Sequence, residues 1–120
     1  MFGDIPNDVY DFKMDEWKAT NEKNKELNPE QKLDPSPIRP FGKWYEENFG
    51  DVHTKVVCYF GIFAVAKHHI TQHPKERYEK LISYLDTHSN PEAGHYMERS
   101  WGALFYPYPD SCVYSRDDDV

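Results

Sequence analysis

Apolar positions are sparse and aperiodic in the first third of the chain and dense after Pro40. "DVYDFKMDEW" has apolar residues without a period, and "KATNEKNKELNPEQKLDPSPIRP" has almost none. Pro29, Pro35, Pro37 and Pro40 disfavour a continuous helix there. This stretch reads as a surface connection with a short helical turn around Glu16 to Lys25. In "PFGKWYEENFG", Phe41, Trp44, Tyr45 and Phe49 fall on one helical face, predicting a helix over 41–49 that Gly50 can end. "HTKVVCYFGIFAVAKHHI" is continuously apolar and rich in branched and aromatic residues. It predicts strands near 54–59 and 62–66, or one bent strand, with Gly61 marking a bulge, turn or close backbone approach. Such apolarity suits a sheet covered on both faces. Tyr78, Leu81, Ile82 and Leu85 repeat at helical spacing after Pro74, predicting a helix over 74–88. In "NPEAGHYMERSWGALF", Asn90 reads as an N-cap, Pro91 as the first helical residue and Glu92 as a complement to the helix dipole. Met97, Trp101, Leu104 and Phe105 form its apolar face, predicting a helix over 91–105. The expected fold is α+β or α/β, a small sheet packed by three helices behind an irregular N-terminal third.

Composition changes this picture in two ways. A chain of 120 residues holds one domain, and its 38% apolar share is low while its 16% aromatic share is high. Rings must therefore supply much of the core. A net charge of −7 argues against a nucleic-acid surface. Cys58 and Cys112 are too few for a disulfide framework, and no signal peptide or membrane-spanning run is evident, so a cytoplasmic or other reducing, soluble compartment is expected.

Candidate chemistry gathers on the last helix. Gly94, His95, Glu98 and Gly102 share one stripe, and Arg99 stands four residues past His95. Read from periodicity alone, Glu98 is solvated or pairs with His95 or Arg99. The functional reading is that the glycines admit a ligand and Glu98 accepts or orients a hydroxyl proton. His68, His69, His73, His88 and His95 invite a metal, but no HExxH or CxxC spacing supports one, and no metal ligand is assigned. No serine lies in a nucleophile turn, and no phosphate-cradling loop is present. Asp117, Asp118 and Asp119 read as a solvated tail.

Order and spacing in the second half resemble a known family. Gly61, Phe63, Ala64 and Val65 fit an apolar "G-x-F-A-V" element; Pro74, Tyr78 and Leu81 fit a following "P-x-x-x-Y-x-x-L". Gly94, His95, Tyr96, Glu98, Arg99, Trp101 and Phe105 fit "G-H-Y-x-E-R-x-W-x-x-x-F". This resembles the C-terminal part of a family of uncharacterised proteins of fungi, bacteria and large DNA viruses related to GT-A-type nucleotide-sugar glycosyltransferases. The resemblance implies a polar N-terminal segment (1–34), an acceptor-side lobe (35–107) like the C-terminal half of a GT-A fold, and an acidic tail (108–120). It implies glycosyl transfer from a nucleotide sugar to a hydroxyl acceptor, with a divalent metal such as Mn²⁺ in an active enzyme. Glu98 would be catalytic, and His95, Arg99, Gly94 and Gly61 would bind substrate, His95 at the pyrophosphate or its metal and Arg99 at phosphate charge. The donor-binding acidic motif is missing from this chain, which would be inactive alone. The alternative is a non-catalytic structural or interaction protein, viral for instance, whose N-terminal segment lies on a protein partner.

Overall fold

The computed structural model describes residues 10–14, 22–30, 33–50, 52, 58, 61–88 and 90–114. Six α-helices carry the described fold: α1 (Glu22–Leu27), α2 (Phe41–Phe49), α3 (Lys67–Thr71), α4 (Lys75–Leu85), α5 (Glu92–Glu98) and α6 (Trp101–Phe105). A 3₁₀ turn, Asp110–Cys112, follows.

The expected α+β or α/β fold is overturned, and with it the likeness to the C-terminal half of a GT-A fold. Among the described residues there is no sheet, only an isolated parallel bridge between Asp34 and Pro91. The strand expected at 62–66 is an unpaired run outside regular structure, with Ile62 81% exposed. A strand needs a neighbour to satisfy its amides and carbonyls, and no described segment supplies one. The strand expected at 54–59 lies outside the described residues except Cys58, which belongs to no regular element. Side chains of helices fill the interior where a sheet was expected.

That interior is largely aromatic. Phe41, Trp44, Tyr45 and Phe49 of α2 are buried together with Leu81 of α4, Tyr96 and Met97 of α5, and Ala103 and Leu104 of α6. Trp44 sits edge-on to Phe49 and Tyr84, and Tyr96 tilts against both Phe41 and Trp44 at ring separations of 5.5 and 5.6 Å. Such tilted and edge-on pairs add to the area that the rings bury. α5 packs against α2 and α4 and so lies at the centre.

Helix ends follow local chemistry. Gly50 ends α2 at φ 61°, a conformation that costs other residues strain, and its amide donates to the Glu46 carbonyl. Pro74 precedes α4 in an extended conformation. The helix expected over 91–105 breaks at Arg99 and Ser100. There the Ser100 hydroxyl donates to the Tyr96 carbonyl at 2.7 Å, and both residues' amides turn back to carbonyls three positions earlier. Ile82, placed on the buried face by periodicity, is 55% exposed.

The N-terminal stretch docks on its own chain. Tyr10 stacks on Phe41 and meets Tyr45 edge-on, and Phe12 meets Tyr96 edge-on. The Phe12 carbonyl accepts the Phe41 amide at 2.8 Å. The Asp34 amide donates to the Asn90 carbonyl, the Glu92 amide donates to the Asp34 carbonyl, and Thr87 donates to the Asp34 carboxylate. No described helix is long and apolar enough to cross a membrane.

Candidate functional site

α5 carries two carboxylates with different surroundings. Glu92, its first residue, is 0% exposed. Its Oε1 accepts the Ser36 amide at 2.8 Å, and its Oε2 accepts the Met14 amide at 2.6 Å. Arg39 closes the group, with Nε 2.7 Å from Oε1 and an Nη donating to Oε2 at 2.9 Å. The same Nη also donates to the Met14 carbonyl at 3.0 Å. Burial pushes the Glu92 pKa up, but hydrogen bonds from Arg39, Met14 and Ser36 outweigh it and hold the carboxyl below its usual value. Beside this pair, burial first and then the Glu92 charge push the Tyr96 hydroxyl up to about 12. Sequence reading gave Glu92 only a dipole role. Nothing in the pattern connects it to Arg39, which stands in a polar, proline-rich stretch far along the chain.

Glu98, the last residue of α5, is half-buried. Its charge raises the pKa of His95, one turn back, while burial, the larger effect, lowers it. Arg99 lowers it further and Glu92 raises it, leaving His95 below its usual value. His95 Nε2 lies 3.3 Å from the Asn90 side-chain oxygen. The guanidinium carbon of Arg99 stands 3.7 Å over the Phe12 ring, and an Nη donates to the His95 carbonyl at 2.8 Å. Arg99 thus holds the N-terminal segment as well as flanking Glu98. Gly94 has room around it: a methyl placed there would meet only Pro91, at 3.9 Å.

Gly61 is brought to the start of α6. It sits at φ 66°, and a methyl on it would lie 3.7 Å from Trp101 Nε1. Phe63 packs on Trp101 and Phe105 at 5.2 and 5.5 Å. The structure therefore joins the "G-x-F" segment to the "E-R-x-W" segment, though they are far apart in sequence. Gly61 lies beside Trp101, the first residue of α6.

The histidines are dispersed. His68 and His69 are neighbours on α3, His73 contacts the Tyr106 carbonyl, and His88 accepts the Asn90 amide. Among the described residues no three His, Cys, Asp or Glu side chains gather to hold a metal. Cys58 and Cys112 are free thiols, and burial raises the Cys58 pKa. The acidic triplet at 117–119 lies outside the described residues.

No curated protein and no solved structure matches the chain. Over residues 11–117 it matches the family model described as a protein of unknown function, DUF3431, a span that takes in the docked N-terminal stretch and both halves of the α5–α6 unit, and the chain belongs to that family.

Proposed function

We propose that this chain is the acceptor-side part of a glycosyltransferase-like protein, with Glu98 as the group that takes or orients the proton of an acceptor hydroxyl. The observation that carries the reading is the half-buried Glu98 whose charge acts on His95, one turn back on α5. A half-buried carboxylate next to an imidazole suits hydroxyl activation. Burial favours the neutral form of His95, which can donate or accept a hydrogen bond to substrate, and Gly94 leaves space beside it. Arg99 steadies the wall through Phe12 and contributes positive charge towards a phosphate. Donor binding falls to residues beyond those described or to a partner, and no step is assigned to a metal. A reducing compartment suits the two free cysteines.

An amide-resolved NMR titration with a panel of mono- and disaccharides and nucleotide sugars tests this. The expected result is saturable shifts confined to Gly61, Gly94, His95, Glu98 and Trp101, weakened about tenfold or more in Glu98→Gln. Absence of such shifts with every ligand would refute the reading. The 33–40 part of the proline-rich stretch packs on this chain's own Glu92.

A further inference from the structure

We propose that His73 and Arg77 form a pH-sensitive joint, in which only the neutral imidazole holds Arg77 between the ends of α2 and α6. His73 stands between α3 and α4, and both of its ring nitrogens are engaged. Nε2 lies 2.6 Å from the Tyr106 carbonyl oxygen, and Nδ1 lies 3.3 Å from one Nη of Arg77. A carbonyl can only accept and a guanidinium can only donate, so the proton sits on Nε2 and the lone pair on Nδ1. Arg77 in turn reaches two neighbouring helices. Its other Nη donates to the Ala103 carbonyl of α6 at 3.4 Å, and its guanidinium carbon lies 5.4 Å over the ring of Phe49, the last residue of α2.

Protonation of His73 removes the lone pair that Arg77 uses and sets two donors of like charge against each other. The two contacts of the ring then respond in opposite ways. The bond to Tyr106 is kept and strengthened, because its donor has become charged, so the ring stays in place. Arg77 is the partner that moves, since its other contacts are one long hydrogen bond and the face of a ring. No carboxylate is bonded to Arg77 or His73 among the described residues. Burial works against the charge of half-buried Arg77, and the groups acting in its favour are the Tyr78 hydroxyl on α4 and the Tyr45 hydroxyl on α2. The other titratable groups around the joint are His69 of α3, edge-on to Tyr108, and the exposed Lys75 and Glu76 at the start of α4. Lys75 pairs with Glu79.

NMR of the isotopically labelled chain from roughly pH 8 to pH 5 tests the proposal. At the upper end the His73 ring nitrogens should show the Nε2–H tautomer. On acidification the Arg77 Nε–H signal and the Phe49 ring signals should shift with the same midpoint as the His73 ring. Glutamine carries a neutral donor and a neutral acceptor in one side chain. His73→Gln should therefore keep the Arg77 and Phe49 signals at their high-pH positions throughout. Melting temperatures verify that the variant is folded. Arg77→Met gives a second arm, in which His73 still titrates but the Phe49 signals no longer follow it. An Nδ1–H tautomer at high pH, Arg77 and Phe49 signals that ignore the His73 titration, or a pH shift that persists in either variant would overturn the proposal.

Discussion

Glu92 and Arg39 show how a single buried pair can fix a segment that lacks a hydrophobic pattern of its own. Removing one partner strands the other charge in a site with little water, so Glu92→Gln should cost about 3 kcal/mol, measured by urea unfolding. Of the perturbed acid–base groups of α5, Glu92 and His95 push stability the same way. Glu92 has a folded pKa below its unfolded value, so its contribution is complete above about pH 4.3 and is lost as pH falls further. His95 is also lowered, so the unfolded chain binds the proton first and stability already declines below about pH 6.5. A pH series of unfolding free energies should show both losses, with the upper one absent in His95→Gln. Gly61→Ala should destabilise by about 1 kcal/mol through its positive φ rather than through crowding. Gly94→Ala should do the reverse, stabilising by up to about 1 kcal/mol while weakening any ligand that uses the space beside His95.

At the scale of elements, periodicity sufficed where one helical face meets the core. The four aromatics of 41–49 are all buried in α2, because their spacing needs only a single apolar partner surface. It did not reveal the break between α5 and α6, where Ser100 bonds a carbonyl of the preceding turn, since Met97, Trp101 and Leu104 keep helical spacing across it. It misread 62–66 for a different reason. Branched and aromatic residues indicate a preference for extended backbone, but not whether a neighbouring strand exists. The docking of residues 10–14 was illegible because it depends on backbone groups and on Gly42. A methyl on Gly42 would come within 2.8 Å of the Tyr10 carbonyl oxygen. Gly42→Ala should therefore release Tyr10 and raise amide exchange at 10–14 while leaving α4 protected, as hydrogen–deuterium exchange can measure.

For the whole molecule, the candidate site was legible as a list of residues but not as an arrangement. Gly94, His95, Glu98 and Arg99 were adjacent in the sequence, whereas the approach of Gly61 to Trp101 and the capping of Arg99 by Phe12 arise only from tertiary packing. The central claim is that α5 divides labour between its carboxylates, Glu92 holding the N-terminal segment to the core and Glu98 serving the site. The most direct measurement compares Glu92→Gln and Glu98→Gln by thermal unfolding and by saccharide titration on the same preparations. Glu92→Gln should lower the melting temperature by roughly 10 °C or more. Glu98→Gln should change it by only a few degrees, about 1 kcal/mol or less, and weaken the ligand-dependent shifts about tenfold or more. Equal destabilisation by both variants, or undiminished ligand shifts in Glu98→Gln, would contradict the account.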